Sequence, residues 1–279
     1  MTDTNIEESE ATAPTARRRI FSGRTLSDGK KIYWWREILI VAVVDVVYES
    51  VRNLSAGKPD KAYANALRVI DWQRNFGFWH EQAMQNFALD YTPLIVFANY
   101  FYGSVYIGAT IFTLVFLFWK FPNDYSLFRN TLMIGTLCGL IGFALFPLMP
   151  PRLLDDTMLL HGANTGHWFG FVDTLVKYPT FWSFNDETMK TISNQFAAMP
   201  SLHCGWAFWG LIALRPRVKA WWAKTLVILY PIVTVYVVVI TANHYIIDAV
   251  AGFALFTFAY FVARAITRAG RGTPVTTVN

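Results

Sequence analysis

The sequence predicts an all-α, polytopic membrane protein of about six transmembrane helices. Three observations predict it. The composition is too apolar for water, the apolar residues fall in runs of membrane-crossing length, and the basic residues gather at the ends of those runs. Of 279 residues, 54% are hydrophobic, 17% aromatic and 15% charged, against roughly 25% charged in an ordinary soluble domain. The formal charge of +5 does not point to nucleic acid, because the cations are not interleaved along one helix face. Cys138 and Cys204 both lie inside apolar runs without CxxC spacing, so they are expected as packing residues.

Taken in chain order, residues 1–31 are expected as a disordered cytoplasmic tail. They are polar, and no apolar run of the signal-peptide kind follows Arg17, Arg18 and Arg19 directly. A spanning helix needs about 20 mostly apolar residues, and six stretches come near that, at about 33–54, 93–121, 127–148, 201–214, 221–241 and 245–266. The first carries Asp45, Glu49 and Arg52, which are expected to face protein or a polar cavity, an internal ion-pair network being favoured. The fourth is short and must draw on its neighbours. Between the first two, Ala62, Ala66, Val69 and Ile70 with Trp72, Phe76, Phe78 and Trp79 resemble an interfacial amphipathic helix. Residues 32–268 form the expected membrane catalytic domain, and 269–279 a second cytoplasmic tail.

Orientation follows from the cations. Arg17 to Arg36, Lys120 with Arg129, Arg215 to Lys224, and Arg264 to Arg271 fall on one side, which the positive-inside rule makes cytoplasmic. Lys58, Lys61, Arg68 and Arg74 conflict with it, since their segment must lie outside. Both termini are then inside, in an inner (cytoplasmic) membrane. The loop from Pro150 to Pro200 and the turn at Asn243 face outward.

That outer side collects the residues suited to chemistry. His203 lies in Met199-Pro200-Ser201-Leu202-His203 at a helix start. Backbone N–H groups there bind anions, and Ser201 adds a hydroxyl donor. In Asn243-His244-Tyr245-Ile246-Ile247-Asp248, His244 and Asp248 are one helical turn apart. A carboxylate accepting the Nδ1 proton leaves Nε2 free as a nucleophile. Arg152, after Pro150-Pro151, offers a planar fork of donors for phosphate oxygens. Each feature alone has a duller reading as cap, local hydrogen bond or interfacial anchor; their combination on one face points to a phosphate ester.

These residues resemble the second and third signature motifs of the type 2 phosphatidic acid phosphatase superfamily. The run Ala197-Ala198-Met199-Pro200-Ser201-Leu202-His203, with Asn243-His244-Tyr245 and Asp248-Ala249-x-Ala251-Gly252, is similar to the branch of the fungal inositol phosphorylceramide synthases, the aureobasidin-resistance inositolphosphotransferases. Pro150-Pro151-Arg152-Leu153-Leu154 resembles bacterial members of that branch. The resemblance covers roughly Asn99 to Gly252 and implies a helical core with the site outside. It implies that His244 forms a phosphohistidine, Asp248 orients it, and His203 works as acid and then base. Arg152, Ser201 and Asn243 are the expected substrate-binding residues; no metal and no cofactor enter.

Two expected phosphate-binding cations are missing from the broader pattern. No Lys–Arg-Pro arrangement surrounds Arg152, and Val237-Val238 stand where Ser-Arg is usual. The expected substrate is a prenyl or glycerolipid phosphate, or a phospho-headgroup, with water or an alcohol as acceptor. The rival classes are a non-catalytic lipid-phosphate binder and a lipid transporter, the latter lacking a visible repeat. Oligomeric state is not legible. His80-Glu81 and the loop set Asp155, Asp156, His161, His167 and Asp173 lack metal-ligand spacing. Tyr100 and Tyr102 are expected in an interfacial belt, and Trp206 and Trp209 against a lipid tail.

Overall fold

The structure is a computed structural model that describes residues 23–54, 59–155, 168–180 and 195–269, with backbone alone for 49 and 51–54. Two short strands, β1 (Arg24–Thr25) and β2 (Lys31–Ile32), pair antiparallel. Ten α-helices follow among the described residues: α1 (Trp34–Leu54), α2 (Pro59–Asn75), α3 (Glu81–Leu89), α4 (Thr92–Tyr100), α5 (Tyr106–Lys120), α6 (Pro122–Leu145), α7 (Thr174–Lys177), α8 (Leu202–Leu214), α9 (Trp221–Ile240) and α10 (Ile246–Ala269). A π-helical turn, Phe101–Val105, joins α4 to α5, and a 3-10 turn covers Pro151–Leu153. The all-α expectation holds. β1 and the first residue of β2 lie in residues expected to be tail; Gly29, at φ 80°, turns the chain there, and Ser27 N–H donates to Asn123 Oδ1. Residues 1–22 and 270–279 lie outside the described residues.

Among the described residues, four helices are long and apolar enough to cross a membrane: Thr92–Lys120 (α4, the π turn and α5), α6, α9 and α10. Their outward faces carry Phe112, Ile141, Ile232 and Phe258, all more than half exposed, which only a hydrocarbon solvent accommodates at this density. The expected count of six adds α1 and the 13-residue α8. Charge keeps α1 out of the first group. Its Asp45 is exposed rather than turned to protein, whereas Glu37 is buried and pairs with Arg129 of α6 at 2.5 Å. Glu49 and Arg52 fall outside the described side chains.

The helices divide the molecule into two ends. At one, Arg217 after α8 pairs with Asp124 at the start of α6 at 2.7 Å, close to the Glu37–Arg129 pair. At the other, α6 stops before Pro147, whose ring cannot continue a helix. The chain then runs extended and is held by backbone bonds. Leu148 N–H donates to Phe196 O, Met149 N–H to Ala62 O, and Arg152 N–H to Ala242 O. The α2 segment, expected to lie in the headgroup plane, instead buries Ala62, Ala66, Val69 and Ile70 against Leu148, Met149, Leu153, Phe169 and Tyr245. Its apolar stripe finds protein before lipid, because the post-α6 segment supplies matching apolar surface. The helix thus roofs the end where the histidines lie.

Candidate active site

His203 comes from the first turn of α8. Ser201 is the N-cap; its Oγ accepts from Cys204 N–H at 3.4 Å, and its own N–H donates to Asp248 O at 3.0 Å. Pro200 therefore precedes the cap instead of starting the helix. Ser201 is fully buried, and its hydroxyl oxygen serves the helix start as an acceptor. The close approach of α8 and α10 depends on Gly252: a Cβ there would meet Ser201 O at 2.3 Å, so any side chain would push the two motifs apart.

His203 itself is packed by rings. Tyr102 stacks on it at 4.4 Å between centroids and 22° between planes, and Tyr106 meets it at 4.5 Å and 65°. Tyr106 stacks in turn on Trp206, whose indole N–H donates to Thr136 Oγ1 at 2.9 Å. Among the described residues no hydrogen bond to a His203 ring nitrogen is formed. The expected belt residue Tyr102 is thus a site residue, while Tyr100 is exposed. Trp209, expected near a lipid tail, is fully buried with its indole N–H on Phe128 O; that bond fixes it in the core.

His244 lies in the turn between α9 and α10 and is held by hydrogen bonds. Ala242 adopts φ 53°, a left-handed conformation that reverses the chain and that non-glycine residues seldom adopt. The N–H groups of Asn243 and His244 both donate to Val238 O. His244 Nδ1 lies 3.3 Å from Asp248 Oδ2, which also accepts from Tyr245 N–H at 2.9 Å. Asp248 Oδ1 is buried with no hydrogen-bond partner among the described residues. Burial pushes His244 down to about 4, with the Ala198 backbone contact opposing and Arg152 adding to the fall, so its imidazole is neutral near pH 7. Burial and the Asp248 carboxylate raise the Tyr245 hydroxyl far above its ordinary value, and that hydroxyl donates to Met149 O.

Glu81 and Gln73, which sequence reasoning did not place at a site, finish the start of α10. Glu81 Oε1 accepts from Ile246 N–H and from Gln73 Nε2, and Gln73 Oε1 accepts from Ile247 N–H. Both side chains are buried, and they satisfy donors that a helix N-terminus leaves open. Their signal in the sequence is slight, being two polar residues on the apolar stripe of a helix and at the start of another.

Arg152 joins this end through the 3-10 turn. Its Nε donates to Asn243 Oδ1 at 3.1 Å and its Nη1 to Asp173 Oδ2 at 2.6 Å. Asn243 Nδ2 donates to Thr241 Oγ1, so Asn243 orients the guanidinium. Asp173 also caps α7, and Asp155 accepts from Phe169 and Phe171 N–H; both loop acids have structural partners. His80 is exposed, while Asp156, His161 and His167 lie outside the described residues. Among the described residues no group of three or more His, Cys, Asp or Glu is arranged to hold a metal.

The structure therefore brings together all six expected residues, with the imidazoles of His203 and His244 6.0 Å apart between centroids. Val237 and Val238, at the Ser-Arg position, are buried in the helix end. No curated protein and no solved structure matches the chain. Its family is nevertheless plain: the PAP2 superfamily pattern matches residues 67–262, a stretch that takes in all six of those residues together with Tyr102 and Tyr106, so this membrane protein belongs to the PAP2 superfamily.

Proposed function

We propose that the chain is a metal-independent phosphatase or phosphotransferase acting on a lipid phosphate through a phosphohistidine on His244. The observation that carries this reading is the 6.0 Å separation of the two imidazoles with Arg152 close enough to bear on the charge of His244. A nucleophile reaches a reacting atom at about 3–3.5 Å, and a general acid its leaving oxygen at about 2.6–3.2 Å. The 6.0 Å between ring centres leaves room for a phosphoryl group to be approached by one imidazole from each side.

With Nδ1–H donated to Asp248, Nε2 of His244 carries the lone pair that attacks phosphorus. The P–O bond to the lipid alcohol breaks, and His203, entering the step as an imidazolium that the negative charge of the bound phosphate stabilises, protonates the departing oxygen. His203, now neutral, takes a proton from water or an acceptor alcohol, whose oxygen attacks the phosphohistidine. The P–N bond breaks and His244 is restored. Arg152, steadied by Asn243 and Asp173, neutralises the equatorial oxygens. Ser201 acts as a helix cap, and Asn243 acts through Arg152.

A second reading is favoured by Val237 and Val238. Buried valines where a cation is usual leave less positive charge for a dianionic monoester, and a phosphodiester carries one charge. That supports transfer of a phospho-headgroup, as in the inositolphosphotransferase branch. The basic end marked by Arg129 and Arg217 supports a cytoplasmic placement of that end and an outward-facing site.

The test is phosphate release from a panel of lipid phosphates by purified protein, with and without an inositol-type acceptor. Chelator and His244→Ala serve as controls. Chelator-resistant release that vanishes in the variant supports a phosphatase, and a new lipid without free phosphate supports a transferase. Intact lipid binding without either product removes the enzyme reading in favour of a binder or transporter.

A further inference from the structure

His203 is the one member of the histidine pair whose ring the described residues hold by aromatic contact rather than by hydrogen bonds. Both tyrosines come from a distinctive piece of backbone. The 29-residue helical run Thr92–Lys120 changes to π geometry over Phe101–Val105 and nowhere else along its length. π geometry is rare, appears mostly as single turns inside α-helices, and is frequent at functional sites. Tyr102 and Tyr106, four residues apart, share a face, and the turn aims that face at His203. Ser104 Oγ donates to Tyr100 O at 2.6 Å, which satisfies a carbonyl at the altered register. Trp206 and Thr136 brace Tyr106 from behind.

We propose that Tyr102 and Tyr106 are positioning residues that fix the ring plane of His203 so that its nitrogens meet the leaving oxygen, neither nitrogen being spent on a hydrogen bond among the described residues. His244 is held by hydrogen bonds, from Nδ1 to Asp248 and from its ring to the Ala198 backbone, and a nitrogen so engaged is occupied. Ring contacts restrict rotation without occupying either nitrogen. Stacking at 4.4 Å and 22° fixes the plane, and the edge contact from Tyr106 fixes the in-plane direction. The proposal rests on the acid–base role given to His203 under the proposed function.

The discriminating variable is the leaving group, because a misplaced acid matters when the leaving oxygen is basic and matters little when it is not. The full-length enzyme in detergent would be given one phosphate on an alkyl alcohol and on p-nitrophenol. Tyr102→Leu is expected to lower kcat about 10- to 100-fold on the alkyl ester and less than about threefold on the aryl ester. Tyr102→Phe keeps the ring and is expected to stay near wild type on both. In a His203→Ala background, Tyr102→Leu should add almost nothing on the alkyl ester, since the pair acts as one unit. Tyr106→Leu repeats the pattern more weakly and serves if Tyr102→Leu does not fold.

Equal losses on both esters would overturn the proposal in favour of simple packing. A Phe variant as poor as Leu would overturn it in favour of a direct hydroxyl role. A full additional loss in the His203→Ala background would overturn it as well. Wild-type enzyme inert on every ester would sink the phosphatase reading itself, a different failure that no tyrosine variant could produce.

Discussion

The two imidazoles of the site are held in opposite ways. His244 sits in a backbone turn closed by two N–H bonds to Val238 O, with Asp248 on its ring and with Glu81 and Gln73 satisfying the helix start beyond it. His203 rises from a capped helix and leans on two phenol rings. Hydrogen bonds fix which nitrogen carries a proton; stacking fixes where the ring lies and leaves the proton free to come and go. A nucleophile that must always present one lone pair suits the first arrangement. A group that must give a proton and later take one suits the second.

The largest expected effect tests the hydrogen-bonded side. Asp248→Asn keeps the shape at a fully buried position but no longer enforces the tautomer of His244. Turnover should fall a thousandfold or more, by roughly the margin such orienting carboxylates show elsewhere, with lipid binding retained. A fall of less than about tenfold would mean that Asp248 does not set the proton on His244.

Next comes the close approach of α8 and α10. Gly252→Ala places a Cβ 2.3 Å from Ser201 O, and overpacking of this kind costs about 1–3 kcal/mol. A lowered thermal midpoint together with a loss of turnover is expected, because α8 must move away from α10 and carry His203 with it. Lowered stability with full activity would show that the two histidine motifs tolerate a change in the spacing of α8 and α10.

Smaller effects follow for Arg152. Asn243→Ala removes one of its orienting acceptors and is expected to raise KM about tenfold, as loss of a hydrogen bond to a charged group does, with kcat less affected. A kcat-only effect would move Asn243 from binding to chemistry.

The mildest prediction concerns pH. Since the folded protein holds His244 neutral down to about 4, against 6.5 ordinarily, the acid limb of kcat/KM arising from His244 belongs near pH 4. The unfolded chain binds the proton first, so the stability contribution is complete above pH 6.5 and is lost as pH falls toward 4. Thermal midpoints across that window should decline for wild type and decline less for His244→Gln. A limb at 6.5 that is unchanged in Asp248→Asn would show that His244 is not shielded as its burial requires.

Much of this was legible in the amino-acid order, and the limits have physical causes. The ends of α9 and α10 fall near the expected boundaries because an apolar run of membrane length reads directly. α6 ends about a turn before the expected boundary near 148, since Pro147 breaks the helix before the apolar run ends. Arg152, Asn243, His244 and Asp248 were readable because ionisable groups at span ends stand out against apolar neighbours. The destination of the α2 stripe was not readable: an apolar helix face looks the same whether it meets lipid or protein. Tyr102 was hidden because belt tyrosines and site tyrosines share one composition, although the polar Tyr-Gly-Ser group within an apolar span was a faint signal.

The sequence by itself determined that this chain lives in a membrane, that it is helical, and which histidines, carboxylate and arginine stand at the ends of its spans. Those properties are local, being set by hydrophobic length and by the high energy of charge in hydrocarbon. Only the tertiary structure decided how each is used. It tied Arg152 to Asn243 and Asp173, turned Ser201 into a cap, and brought the Tyr102 and Tyr106 rings onto His203. Such assignments rest on contacts between residues far apart in sequence, and these form only when close-packed helices, here at Gly252, fix the distance between two motifs.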